Sequence, residues 1–284
     1  MFRLAHLSDL HIGPLPEPSL RDLLNKRLTG YLNWRRGRSQ HHSMAVLDRL
    51  LLDVAKAAPD HVAVTGDLIN IGLAAEYPAA RAVLWRIGEP DRVSFVPGNH
   101  DAYMRQTVPE IVLHWRPWFL GDGVDEAEGG YAFPYLRRRG RVALIGLNSG
   151  VPTPAFSAAG AVGARQIVAL EELLQDLKAE GMARVVMIHH PPFDIGFQKR
   201  LNDHDELARA LAHHGAELVL HGHTHKGTMR PLKGPDGPIP VVGVPSASAR
   251  ADGKDEPAAW NLVTIDGGPG GWRVDVERKA VAQT

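Results

Sequence analysis

Five short clusters of metal-donor side chains recur along this chain, and each comes directly after a short apolar run. The clusters are Asp9-Leu10-His11, Gly66-Asp67, Gly98-Asn99-His100-Asp101, His189-His190-Pro191 and Gly222-His223-Thr224-His225. The runs before them occupy residues 4–7, 62–65, 93–96, 185–188 and 218–220, and one more lies at 142–147. They are β-branched or Leu-rich and bounded by Gly, Pro or polar residues, which predicts buried strands. In α/β sheets the carboxyl ends of the strands face the ligand crevice, so loops at those ends can converge on one spot.

Helical patterns separate the strands. Ser43 is placed to cap a helix whose face carries Val46, Leu47, Leu50, Leu51 and Val54. A second helix has Ile167, Leu170, Leu173, Leu174 and Leu177 at helical spacing and stops before Gly181. A third covers about 205–214, with Gly215 after it. Strands alternating with helices predict α/β layers. Beyond about residue 228, Pro235-Asp236-Gly237 reads as a hairpin turn, and 241–244, 262–265 and 272–276 read as closing antiparallel strands. No linker-like stretch or internal repeat divides the chain.

The donors are Asp, Asn and His, which suit Mn, Fe, Zn or Co, and the absence of cysteine removes thiolate ligands and disulfides. Seven such donors are more than one ordinary mononuclear site uses and the right number for two divalent ions sharing a carboxylate. Such a pair clamps both oxygens of an in-line phosphoryl displacement, so the chain reads as a hydrolase of phosphate esters. Its 32 basic residues balance its 32 acidic ones, so no global basic field advertises nucleic acid as a partner. No apolar stretch approaches the ~18–20 residues that span a bilayer. With no secretory leader legible either, a soluble cytoplasmic protein is expected.

The ordered string D-x-H, G-D, G-N-H-D, H, G-H-x-H resembles the calcineurin-like metallophosphoesterase superfamily. It is closest to the bacterial class III cyclic-nucleotide and glycerophosphodiester phosphodiesterases, and the match runs from Asp9 to His225. The resemblance implies a four-layer αββα sandwich of two mixed β-sheets flanked by helices, within a single domain over residues 1–284. It implies that one ion takes Asp9, His11, Asp67 and His225, and the other Asp67, Asn99, His189 and His223, with a metal-bridging hydroxide as nucleophile. It also implies that His100 contacts the phosphate or leaving group, where a His near neutrality can protonate an alkoxide, and that Asp101 orients it. The expected activity is a phosphodiesterase acting on a small substrate, a cyclic nucleotide or glycerophosphodiester, with Mn as the expected activator. The alternatives are a pyrophosphatase on a nucleotide-linked lipid of the UDP-diacylglucosamine type, and a non-catalytic scaffold, which would show as lost ligands.

Residues 20–42 depart from this pattern. Arg21, Lys26, Arg27, Arg35, Arg36 and Arg38 stand against the single acid Asp22. Leu20, Leu24, Leu28 and Tyr31 fall at helical spacing with Trp34 behind them, and Gly30 interrupts the helix. A basic amphipathic helix here reads either as a cap at about 19–42 packed on its own domain, or as a peripheral lipid or membrane contact. Among the remaining histidines, His190 and His221 are expected to hydrogen-bond behind the ligands, and His213 and His214 to close a helix. Asn148-Ser149 reads as a hydrogen-bonded turn.

Overall fold

A computed structural model describes residues 1–38, 41–124, 130–252 and 255–281, without the side chain of Arg38. Arg38 and residues 39 and 40 of the expected cap therefore fall outside the described side chains. Among the described residues, eleven strands form two sheets. The first has the order β11-β10-β1-β2-β3 and the second β4-β5-β6-β7-β9-β8.

In the first sheet β1 (Phe2–Leu7), β2 (His61–Val64) and β3 (Val93–Phe95) run parallel, and β10 (Ala259–Asp266) and β11 (Arg273–Ala280) close it antiparallel. In the second, β5 (Val142–Gly146), β6 (Ala183–Met187), β7 (Leu218–His221) and β9 (Ile239–Gly243) run parallel. Its edges are the antiparallel strands β4 (Tyr135–Arg139) and β8 (Met229–Leu232). The strand expected at 241–244 is thus β9, antiparallel only to β8 and parallel to β7.

Strand periodicity explains the layers, because successive side chains point to opposite faces. Val142, Leu144, Val185, Met187, Leu218, Leu220 and Val242 share one core with Leu4, Leu7 and Val64 of the first sheet. The alternate residues Ala143, Ile145, Val186, Val219 and Val241 turn the other way. They meet Ile167, Leu170, Leu174 and Leu177 of the helix Ala164–Ala179, and Leu207 and Leu211 of the helix His204–His214. On the first sheet's side the helix Met44–Ala57 buries Val46, Leu47, Leu50, Leu51 and Val54. Each such side chain, fully buried, contributes about 1.5–3 kcal/mol, so a stripe of five holds the helix down. Ser43 is its N-cap residue, but its side chain makes no capping bond, contrary to expectation. Helices thus flank both sheets.

The segment before residue 38 differs from its amphipathic reading. Residues 20–26 are turns, and a helix forms only at Arg27–Asn33, continued by a π-helical turn at Trp34–Arg38. Leu20, Leu24, Leu28 and Leu32 are exposed rather than packed on the domain. Gly30 lies inside the helix, where a Cβ would collide with Tyr103 and Ile71, so it permits a close approach instead of breaking the element. The buried anchor is Arg27, whose guanidinium donates to the Ile71 carbonyl (3.2 Å) and the Gly72 carbonyl (2.5 Å).

Candidate metal centre

The parallel strands of each sheet deliver their following loops to one edge of the molecule. Asp9 and His11 follow β1, Asp67 follows β2, Asn99 and His100 follow β3, His189 follows β6, and His223 and His225 follow β7. These loops are tight. Asp9, His11, Asp67, His223 and His225 all have φ between 41° and 66°. Asp and His tolerate the left-handed region better than most side chains, yet each such residue still stores about 1–3 kcal/mol of strain. The glycines that precede donors allow close approach. A Cβ on Gly98 would strike the Asp67 carboxylate, and one on Gly222 would strike Ser8 and Asp9.

The donors meet. Asp9, His11 and His225 have ligand atoms mutually within 4.8 Å, as do Asp9, Asp67 and His189, and likewise His189, His190 and His223. His225 Nε2 lies 3.2 Å from Asp9 Oδ1, His11 Nε2 3.3 Å from His225 Nε2, and His189 Nε2 3.3 Å from Asp67 Oδ2. Asn99 lines a cavity of about 180 Å³ with Asp67, His100, His223 and His225.

Three ring nitrogens are tied from behind. His11 Nδ1 pairs with the Ile69 carbonyl (3.2 Å), His189 Nδ1 with the Thr65 carbonyl (2.6 Å) and His225 Nδ1 with Asp255 (2.7 Å). An oxygen acceptor on Nδ1 puts the hydrogen there and leaves Nε2 as the donor atom, the tautomer a metal ligand needs.

Burial alone would lower the pKa of His189, but the Asp67 carboxylate outweighs it and raises it to about 9. Burial is likewise overcome at His225 by the charge of Asp9 and the bond to Asp255, again to about 9. Burial would raise Asp67, yet the charges of His189 and His100 hold it well below the usual carboxylate range.

A cation fits the same place. Asp9 Oδ1, Asn99 Oδ1 and His189 Nε2 are buried without a hydrogen-bond partner, and a buried polar atom left so is costly. All three belong to the expected donor set, and Asp and Asn oxygens with His nitrogens are the donors that Mn, Fe, Zn or Co accept.

His100 pairs its Nδ1 with the Asn70 carbonyl, so Nε2 is the nitrogen that can give or take a proton. It lines the cavity with the donors and a neighbouring one of about 230 Å³, walled by Lys26, Asn33, Trp34, Tyr103, Phe156 and Gln198. The Asp101 carboxylate accepts the backbone N–H groups of Asp67 (2.8 Å), Leu68 (2.8 Å), Ile69 (3.4 Å) and Gly98 (2.8 Å). It therefore holds the Asp67 loop against the Asn99 loop.

His190 is bonded behind the donors as expected, to Ser149 (2.8 Å) and the Ala158 carbonyl (3.1 Å), so Ser149 sits closer to the centre than a plain turn residue. Two residues were missed. His42 lies against His11 and His225, with ring centroids 4.7 and 5.8 Å away, and Asp255 holds His225. Neither ends an apolar run. The His41-His42 doublet was the one visible signal for the first, and Asp255 offered none.

Comparison with known proteins agrees with this geometry. The sequence model of the family described as calcineurin-like phosphoesterase matches residues 2–227. A protein of a Synechococcus strain named as a probable cyclic nucleotide phosphodiesterase is 27% identical over 278 residues, covering 96% of this chain and 91% of the relative. A glycerophosphodiester phosphodiesterase of Enterobacter lignolyticus is 27% identical over 237 residues, covering 80% and 72%. Among solved structures, a dimetal phosphatase from Danio rerio superposes with a TM-score of 0.63 over 99% of both chains at 13% identity, a likeness of fold.

Proposed function

The chain belongs to the calcineurin-like phosphoesterases, metal-dependent enzymes that use a dinuclear centre, and from that premise we propose that it is a phosphodiesterase acting on small diesters. Cyclic nucleotides and glycerophosphodiesters are the candidate substrates, in keeping with the names of the two relatives. The observation that carries this reading is the junction of two cavities at Asn99 and His100. A phosphate held at the donor cluster has a second, partly aromatic space beside it, which gives a diester room for its second substituent.

The residues divide the work as follows. Asp9, His11, Asp67 and His225 would hold one ion and Asp67, Asn99, His189 and His223 the other, Asp67 serving both. When bound, the pair supplies an activated water and neutralises charge on the phosphate oxygens. His100, anchored through Nδ1 on Asn70, presents Nε2 to the leaving oxygen and protonates it. The Ile69, Thr65 and Asp255 acceptors keep the ligand rings in register. Asp101 keeps the Asp67 loop in place through backbone bonds alone.

The test is a panel of bis(p-nitrophenyl) phosphate, a cyclic nucleotide, a glycerophosphodiester, an aryl monoester and a lipid pyrophosphate, assayed on protein reconstituted with Mn. Two ions per chain and faster cleavage of diesters than of the monoester are expected. Preference for the monoester or the pyrophosphate would overturn the diesterase reading.

A further inference from the structure

The arm that walls the side cavity has an outer face on which Leu20, Leu24, Leu28 and Leu32 stay exposed among the described residues. Lys26, Thr29, Gly30, Asn33 and Trp34 line the cavity. Leu28 and Leu32, about 200–240° around the helix from Lys26 at 3.6 residues per turn, face away from it and are exposed. Leu20 and Leu24, in the turns just before, are 86% and 84% exposed. Phe156 (76% exposed) lines the same cavity, and Phe197 (79% exposed) directly precedes Gln198, which also lines it. Of the large apolar side chains left in water among the described residues, six thus gather on the arm or beside the cavity mouth. Phe156 is moreover held at φ 65°, an unusual backbone for an aromatic residue.

Charge accompanies the apolar groups. Arg21, Arg35 and Arg36 are exposed, and within 20–36 the only acid is Asp22, which is engaged by Ser19 (2.7 and 2.9 Å). Arg27 is buried and contributes nothing to this surface. Apolar side chains interleaved with arginines, around a cavity that opens beside them, match the two attractions of an anionic bilayer: burial of apolar area at the headgroup boundary and attraction to acidic lipid. No helix among the described residues is long and apolar enough to cross a membrane, so the contact would be peripheral.

We propose that the outer face of residues 20–36, with Phe156 and Phe197 at its margin, forms a docking surface for an anionic membrane. The proposal goes beyond the diesterase reading and does not depend on it, because vesicle binding is measured without turnover.

The experiment is co-sedimentation of the full chain with phosphatidylglycerol and phosphatidylcholine vesicles. Binding to the anionic vesicles at about 0.05 M salt, little binding to the neutral ones, and loss toward about 0.5 M salt are expected. A basic side chain near an anionic surface contributes about fivefold in partitioning, so Arg35→Gln combined with Arg36→Gln should weaken it about 25-fold. Leu20→Glu with Leu24→Glu should abolish it, whereas Val168→Glu, at an exposed apolar position on the helix Ala164–Ala179, should leave it as in the wild type. Thermal unfolding of each variant shows that it folds. Three outcomes would overturn the proposal: no sedimentation with anionic vesicles at any salt, equal loss in the Val168 variant, or self-association removed by the Leu20/Leu24 changes without vesicle binding.

Discussion

The loops that end β1, β2 and β7 hold Asp9, Asp67 and His223 buried in left-handed backbone, their neighbours fixed by carbonyls and carboxylates. Residues 20–33, which wall the adjoining cavity, leave four leucines in water and rest on Arg27, on Tyr31 against Ile71 and Tyr103, and on the Lys26 ammonium, which donates to the Thr153 carbonyl (2.9 Å). One region is over-determined, held by left-handed backbone, by the bonds that fix three of its rings, and by packing. The other keeps one face packed and the other in water. The contrast teaches that chemistry and access are held differently, and they meet where His100 stacks on Tyr103 beneath the Lys26 ammonium.

The sharpest way to break this contrast is Asp67→Ala. One carboxylate is assigned to both ions, so both should be lost and activity should fall to background. Elemental analysis that still finds two metals per chain would end the sharing. His100→Ala should keep both metals yet lose about 10²–10⁴ in rate on alkyl diesters, and less on nitrophenyl esters, whose leaving groups need no proton. An equal loss on both would replace the acid role by phosphate binding. Asp255→Asn should weaken one ion by about 10–100-fold, read by chelator competition, because His225 loses the partner that orients it.

Acid should act on the first sheet through a buried histidine. His61 on β2 is buried, bonded to Ser94 (2.8 Å), and held from 6.5 down to about 2 by burial and then by Arg139, Arg137 and Arg92. Below pH 6.5 the unfolded chain binds a proton at this residue that the folded protein refuses. Its contribution is therefore fully present above pH 6.5 and is lost as pH falls, by up to about 1.4 kcal/mol per unit. Urea titrations should show a shallower acid slope for His61→Gln; an unchanged slope would place the acid lability elsewhere. The smallest effect belongs to the arm: Leu24→Ser should change stability by no more than about 0.5 kcal/mol, and a larger loss in the same titration would mean that its outer face is packed after all.

How far these regions could be read beforehand follows the same division. The strands before the donor clusters were legible because each is buried on both faces and reads as a continuous apolar run. That the donor-bearing loops could converge was legible because each follows a strand, whereas the choice of seven ligands among their side chains came from the resemblance to a family. Edge strand β4 was not, since its Tyr-Leu-Arg-Arg-Arg looks like surface. In the fold Arg137 is buried, with its guanidinium spread over the carbonyls of Pro90, Val93, Pro117 and Leu120. That the Asp101 carboxylate gathers four backbone N–H groups was not legible, because adjacency to His100 in sequence says nothing of which way a carboxylate turns in a tight loop. The arm was left open between cap and membrane contact because spacing at three and four residues predicts a stripe but not whether the stripe meets protein or water. His42 and Asp255 reach the site only through tertiary contact, which no local pattern encodes.

The positive φ angles at positions 9, 11, 67, 223 and 225 also shape what could become of this protein over time. Glycine would occupy these five places without steric cost, and the strain of about 1–3 kcal/mol at each exceeds the roughly 0.5–1 kcal/mol of extra chain entropy that glycine loses. Against that exchange stand the donor atoms and the bonds they make, since Asp67 accepts the His100 N–H (2.8 Å) and Asp9 the His223 N–H (3.0 Å). A descendant released from catalysis would therefore take glycine only where the relief of strain outweighs those lost bonds and the cavity left behind.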